Sequence, residues 1–356
     1  MKNGGYAMKA RIISDPEDAL VAANACLNKH YLYSFANYWL GEGLITGSGD
    51  HWHRHRQMLK SCFSLPIING YIEVFNSQSR ILLSNLERSA GKGNFYPTEY
   101  TKTYSLGSSY STTFGKPANH EKTFQQYMKA TDEMLSLAMK RFRKFWLHSD
   151  YIYTLLGYKK QESELVKCRD EITDEIIQTK RSFLNESEKD LTNVSFQPLI
   201  HQILEQHTRN AFTDQEISEE LHTAIVAAYE TTSNSLQTIL VMIGSFPEVQ
   251  ERMYEEIMQV LGTDRDVDKE DLRKLVYTEA VIKESLRVLP TVPAIARYVD
   301  KDVKLSKTYA MTALKIAVAH IVRKFVITAD YTKLQYQIDI TLTPMSGHEI
   351  SLERRS

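Results

Sequence analysis

Five groups of residues in this 356-residue chain carry side chains whose types and spacing suit chemistry. Trp52 and Arg56 lie four apart, so on a helix they share a face. An indole donor beside a guanidinium suits a carboxylate or phosphate, although a half-buried Trp on a surface helix has the same pattern. Ala227-Ala228-Tyr229-Glu230-Thr231-Thr232-Ser233 sets an acid and several hydroxyls inside an apolar run. Ser and Thr there bond back to carbonyls and bend a helix, and an interior Glu without a partner is costly, so the cluster reads as a functional kink. Glu284 and Arg287 form an i,i+3 pair, which on a surface contributes almost nothing. Pro293-Ala294-Ile295-Ala296-Arg297 ends an apolar stretch on one arginine. His51 and His55, with His53 between them, have the i,i+4 spacing that holds zinc on a helix. No HExxH pattern, neighbouring carboxylate ligand or second cysteine accompanies them, and Trp52 with Arg56 explains the segment better.

The elements that must position these groups are mostly helical. Asp15-Pro16-Glu17-Asp18 opens a short helix with Pro at its first position and acids in its first turn. The glycines from Gly41 to Gly49 form a turn region ahead of the Trp-Arg helix. A helix follows from about Ile72 to Leu86, then a loop over Gly91 to Pro97, then amphipathic surface helices near 122–147 and 161–186. Thr213-Asp214-Gln215-Glu216 is a capping box. Ile217, Leu221, Ile225 and Ala228 follow at helical spacing, and Ile239, Leu240 and Ile243 resume the stripe to a stop near Gly244. Further helices span Glu248 to Leu261, Glu270 to Leu289 (stopped by Pro290) and Thr308 to Lys324. Leu334 to Thr343 alternates apolar and polar, the mark of a half-buried strand. Pro344-Met345-Ser346-Gly347 then turns the chain, and Ile350 and Leu352 continue the pattern back.

Composition bounds the rest. Lys plus Arg is 43 and Asp plus Glu is 44, a net charge of −1, which excludes a basic field for nucleic acid or an anionic membrane. At 42% hydrophobic and 24% charged the chain is too apolar for disorder. Fifteen Gly and nine Pro are few for an all-β protein. Cys26, Cys62 and Cys168 make no disulfide framework or paired zinc spacing, which fits a reducing compartment. The Asn185-Glu-Ser187 and Asn193-Val-Ser195 triplets are of a kind that arises by chance. The N-terminus has no signal-peptide run, and the apolar stretch from Ile225 to Phe246 is broken by Glu230 and its polar neighbours, so it reads as a buried helix and not a membrane span.

Taken in order, Trp52-His-Arg-His-Arg56, the Ala227–Ser233 cluster, Lys283-Glu-Ser-Leu-Arg287 and Val292-Pro-Ala-Ile-Ala-Arg297 resemble a cytochrome P450 monooxygenase, most like the family-4 branch of insect type. Trp39-Leu-Gly-Glu-Gly-Leu-Ile-Thr46, Tyr309-Ala-Met-Thr-Ala-Leu-Lys315 and the closing hairpin support the resemblance, which runs from about Ile12 to the end. It implies a mainly α, P450-like helical fold with a small C-terminal β-hairpin, as one domain over residues 1–356 that is incomplete at the N-terminus and in the haem loop. It further implies haem, molecular oxygen, a lipophilic substrate such as a fatty acid or hormone-like lipid, an NADPH-dependent reductase, and a place on the cytoplasmic face of the endoplasmic reticulum. Membrane association is allowed without a spanning anchor, and the chain alone is expected to be soluble. By resemblance, Trp52, Arg56 and Arg297 match partners of the haem propionates, and Glu230 and Thr231 match the acid–alcohol pair above the iron. Ala228 matches the small residue that leaves room for oxygen, and Glu284 and Arg287 match the ExxR pair behind the haem. Some family-4 members carry a Glu esterified to haem where this chain has Ala227, so no covalent link is expected.

The resemblance also sets an expectation of loss. A haem-thiolate enzyme needs a cysteinate as the axial ligand. The family places it in a Gly-containing loop, after a Pro/Arg/Phe segment and just before the helix matched by Tyr309 to Lys315. Here Arg297 to Ser306 runs straight into Lys307-Thr308, an internal deletion near 306–308. Cys26 is expected in the first helix, Cys62 after the Trp-Arg helix and Cys168 in a charged helix, each a structural or incidental thiol. The partner that Glu284 and Arg287 would hold is missing too, so a buried pair is expected to be short of hydrogen bonds. The membrane anchor and first strands of the family are likewise expected to be lacking. The reading is a P450-type monooxygenase by resemblance, inactive in this form. Its alternatives are a haem-free helical lipophile-binding pseudoenzyme and, from another class, a metal hydrolase on His51, His53 and His55.

Overall fold

The computed structural model describes residues 26–115, 122–186, 196–207, 212–298, 308–338 and 342–354. The helix expected at Asp15 and the junction at 299–307 lie outside them.

The helices run in the order α1 (Asn37–Leu40), α2 (Gly49–Leu59), α3 (Leu65–Gly70), α4 (Ile72–Glu87), α5 (Thr98–Phe114), α6 (Lys122–Arg143), α7 (Asp150–Leu155), α8 (Tyr158–Glu186) and α9 (Leu199–His207). They continue with α10 (Asp214–Ser245), α11 (Pro247–Leu261), α12 (Asp271–Lys274), α13 (Val276–Val288) and α14 (Thr308–Lys324). Four strands follow: β1 (Phe325–Ala329), β2 (Gln335–Ile338), β3 (Leu342–Ser346) and β4 (Ile350–Arg354). The fold is mainly helical, as expected. None of the helices among the described residues is long and apolar enough to cross a membrane.

Helix α10 is the central element. Its start is fixed by the capping box: Glu216 N donates to Thr213 Oγ1 at 3.2 Å, and Thr213 N donates to the Glu216 carboxylate at 2.7 Å. From there the apolar stripe of Ile217, Leu221, Ile225, Leu236, Ile239, Leu240 and Ile243 is wholly buried. Each such aliphatic side chain contributes about 1.5–3 kcal/mol on removal from water. The helix runs unbroken through the polar cluster, where side chains serve its carbonyls. Thr231 Oγ1 donates to Ala227 O (2.5 Å), and Ser105 Oγ donates to Ala228 O (3.1 Å) and Tyr229 O (2.6 Å).

Helix α5, which supplies Ser105, has no counterpart in the sequence reading. Thr98–Phe114 is rich in Ser, Thr and Tyr and has no apolar period, yet twelve of its residues are buried. Hydroxyls make this tolerable: Thr112 donates to Ser108 O (2.9 Å), Ser109 to Leu106 O (3.1 Å), and Thr101 meets Ser233 of α10 at 3.1 Å. Small side chains let the two helices lie close.

Several expected boundaries shift. The helix expected from Glu270 to Leu289 is two, broken at Leu275, where ψ is 61°. Glu256 of α11 caps the second piece, accepting from Tyr277 N (2.7 Å) and Thr278 N (2.8 Å). Cys26 is buried but not helical. The C-terminal hairpin exists, with other partners than expected. β2 pairs with β3, Ile338 opposite Leu342, so the alternating run folds on itself and Pro344 lies within a strand. Gly347, at φ 74°, turns the chain afterwards. β4 pairs instead with β1, Ile327 opposite Leu352 and Ala329 opposite Ile350. Phe325, Ile327, Ile350 and Leu352 all bury one face of that pair. Alternation fixes which residues share a face; it does not name the partner strand.

The loop after α1 holds α2 against α10. Glu42 N donates to Glu219 Oε2 (3.0 Å) and Leu44 N to Glu220 Oε2 (3.3 Å). Gly43 sits between them so near the helix that a Cβ there would stand 2.2 Å from Thr223 Oγ1.

Candidate functional site

A cavity of about 420 Å³ opens between α2, α10 and the ends of α5 and α9. Most of its wall is apolar, including Leu44, Leu59, Phe63, Ile68 and Leu199. Its size and lining are those of a small-molecule site. Three cations share the wall: Lys29, Arg56 and Arg297. Thr223 and Thr232, also on it, have buried hydroxyls with no hydrogen-bond partner, which native proteins seldom leave without a ligand or water.

The cations are placed by backbone. Residues 29 and 297 form an antiparallel bridge, and Tyr298 N donates to Asn28 O at 2.9 Å. Lys29 Nζ donates to Leu44 O (3.0 Å) and Ile45 O (2.7 Å). Burial, and next the nearby Arg297 charge, lower its pKa to about 7, with Glu220 opposing. Arg297 donates weakly to Tyr33 Oη (3.4 Å), and its guanidinium lies over that ring. Arg56 reaches the cavity from the last turn of α2.

The structure brings together only part of the residue set read from sequence. Arg56, Arg297, Ala228 and Thr231 all line the cavity, as does Ala227. Trp52 does not: only 5% exposed, it packs behind the wall and donates Nε1 to Leu44 O at 3.0 Å. Lys29 Nζ stands 5.9 Å from its ring, so Trp52 shapes the site through that residue. Glu230 and Thr231 are consecutive and diverge on the helix. Thr231 faces the cavity, while the Glu230 carboxylate accepts from Asn234 Nδ2 (3.0 Å) off its wall. Tyr229 points elsewhere and donates to Asp132 (2.6 Å).

Glu284 and Arg287 correct the expectation of a buried pair. Their side chains are 58% and 71% exposed and close on each other in a bidentate bond, both contacts at 2.7 Å. Both groups lie open to solvent, where such a pair contributes little. The three histidines separate as well. His53 bonds Gln57 (2.8 Å), while His51 and His55 turn toward Glu216 of α10, a carboxylate invisible from their own segment.

Sequence reasoning missed Lys29, Glu220 and Thr223. Lys29 sits in no periodic pattern. Glu220 had a signal: an acid adjoining the buried stripe of Ile217 and Leu221 needs partners, which prove to be the Leu44 amide and His55.

The cytochrome P450 family model matches residues 15–313. Cytochrome P450 4c21 of Blattella germanica is 30% identical over 305 residues, covering 82% of this chain and 61% of that protein. Cytochrome P450 4d2 of Drosophila melanogaster is 30% identical over 312 residues, covering 82% and 62%. Cytochrome P450 4V2 of Mus musculus is 29% identical over 302 residues, covering 80% and 57%. The chain belongs to the cytochrome P450 family and is similar to its family-4 members. It spans about three-fifths of the length of these relatives.

Haem is the cofactor of that family. The cavity's three cations and apolar walls fit a porphyrin's carboxylate edge and hydrocarbon faces. They do not fit its iron. No Cys, His or Met is among the described residues of the wall. Cys62 packs in the core with Leu59 and Leu106, Cys26 is buried elsewhere, and Cys168 is half-buried on α8. Of the wall's tyrosines, Tyr33 meets Arg297 and Tyr71 donates to Gln197 O at 3.3 Å.

Proposed function

We propose that this chain is a P450-type haem monooxygenase by descent that binds an anionic lipophile and does not turn it over. The observation that supports this is the cavity wall: three cations, one acid (Glu220) whose carboxylate is bonded to Leu44 N and His55, and a long apolar surface, with no thiolate among the described residues. A carboxylate would take Lys29, Arg56 and Arg297 as partners. An acyl chain would lie along Leu59, Phe63, Ile68 and Ala228, stabilised by about 25 cal/mol per Å² of apolar surface removed from water. The substrate class is a fatty acid or hormone-like lipid. Ala227 and Ala228 leave the helix backbone open to it, and Thr231, its hydroxyl spent on Ala227 O, contributes only bulk.

Monooxygenase turnover needs thiolate donation to cleave the O–O bond, and no residue of the described wall supplies it. By descent the remaining partners would be molecular oxygen and an NADPH-dependent reductase at the cytoplasmic face of the endoplasmic reticulum. In this chain Glu230 and Thr231 form no proton path, because the acid turns from the cavity. Among the described residues, Glu284 and Arg287 hold only each other.

Two titrations test the reading. A fluorescent fatty acid should bind one per chain and be displaced by unlabelled acid but not by the corresponding alcohol. The protein mixed with haem, reduced and exposed to carbon monoxide should show no Soret band of thiolate ligation. A stoichiometric thiolate spectrum, or equal affinity for acid and alcohol, refutes the proposal.

A further inference from the structure

Outside the cavity, on the far side of Glu220, three electron-pair donors converge, with the Arg54 guanidinium beside them. His51 and His55 lie one turn apart on α2, their rings 4.0 Å apart between centroids. Glu216 reaches them from the first turn of α10, and the donor atoms of all three lie within 4.8 Å of one another. His51 Nε2 is buried and has no hydrogen-bond partner. His55 is wholly buried, with Nδ1 at 2.7 Å from Glu220 Oε1 and Nε2 at 3.1 Å from Glu216 Oε1.

Two groupings of protons are open to this cluster, and in both His51 Nε2 is left without a partner. If His55 is an imidazolium it donates to both carboxylates. His51 Nε2 then stays orphaned, and Nη2 of Arg54, 2.9 Å from His55 Nε2, sets donor against donor. If His55 is neutral, Glu220 fixes its proton on Nδ1, and the Nε2 lone pair faces the Glu216 carboxylate. Only the Arg54 guanidinium, which also pairs with Glu216, then bridges the two acceptors. That side chain is 44% exposed, so the bridge lies at the surface.

We infer that His51, His55 and Glu216 form a divalent-metal site, suited to zinc, that staples α2 to the start of α10. Two imidazoles and one carboxylate are a zinc donor set, with the fourth position left to water. Tetrahedral bonds of about 2.1 Å place donors about 3.4 Å apart, so small rotamer adjustments close the cluster. Glu220 is the positioning residue: its bond to Nδ1 holds the tautomer that turns the Nε2 lone pair to the metal. The site would tie α2, which carries Arg56, to α10, which carries Ala228 and Thr231, all three on the cavity wall. Arg54 fills the place while the metal is away.

The test uses the full chain, stripped with chelator and dialysed against zinc sulfate. Wild type should retain one zinc per chain. His51→Ala and Glu216→Gln should retain none, and His53→Ala should match wild type. Glu220→Gln should weaken retention about 10–100-fold. Cobalt in place of zinc should give wild type the intense visible bands of tetrahedral nitrogen and oxygen ligation, a readout that needs no variant to fold. Failure of wild type to hold zinc or show those bands overturns the inference. So does equal retention by His51→Ala and His53→Ala when both have the wild-type far-ultraviolet circular dichroism.

Discussion

Replacing Lys29 with Gln tests whether the cavity's innermost cation recognises an anion. Lys29 has a pKa of about 7 against an ordinary 10.5, so burial has made its ammonium form costly. A difference of about 3.5 units corresponds to about 5 kcal/mol at most. The sign follows from proton counts. Between pH 7 and 10.5 the unfolded chain holds the proton and the folded chain has released it. Stability of the ligand-free protein therefore rises with pH across that window, and below it the full cost is present. A bound carboxylate favours the ammonium and raises the pKa. Affinity should then be greatest below about pH 7 and fall above it, by no more than about tenfold per pH unit for one proton. A guanidinium does not deprotonate in proteins, so an arginine cannot produce this slope. Lys29→Gln should flatten the profile, and at about pH 6 should weaken binding by about 1.5–3 kcal/mol, the worth of a hydrogen bond to a charged group. Displacement of a fluorescent fatty acid from about pH 6 to about pH 9 reads both effects. A wild-type affinity independent of pH, or a slope surviving in the variant, refutes the reasoning.

Three further outcomes follow from the geometry. Thr213→Ala removes the capping box of α10 and should cost about 1 kcal/mol, seen as a lower denaturant midpoint with an unchanged slope. Ala228→Leu should fill the cavity beside Thr231 and abolish fatty-acid binding while the circular dichroism spectrum is kept; undiminished binding would place the ligand elsewhere. Arg287→Ala should leave the melting temperature where it is, because its ion pair with Glu284 lies in water; a large fall would show that the pair is buried after all.

How much of this was legible in the sequence depended on whether a residue belonged to a pattern. Helix α10 was, because Thr213 and Glu216 mark its start and the apolar stripe runs its length. Arg56, Arg297, Ala228 and Thr231 were found through ordered motifs, and they do meet at one cavity. Helix α5 was not legible: several of its hydroxyls, those of Ser105, Ser109 and Thr112 among them, donate to carbonyls within the helix and on α10, which no hydropathy period reports. Lys29 was hidden for a related reason, since a bridge to residue 297 far along the chain gives it its place. The exposure of Glu284 and Arg287 could not be read from their spacing, which is the same for a solvated pair and a buried one. The carboxylate of Glu216 joins His51 and His55 only because α2 and α10 cross.

The close approach at Gly43 has a mechanical consequence. Its neighbours' amides hang on two consecutive acids of α10, and the space for any side chain is already taken by Thr223. A single methyl group there would act as a wedge against Thr223, levering the rim that carries Lys29's carbonyl anchors away from α10.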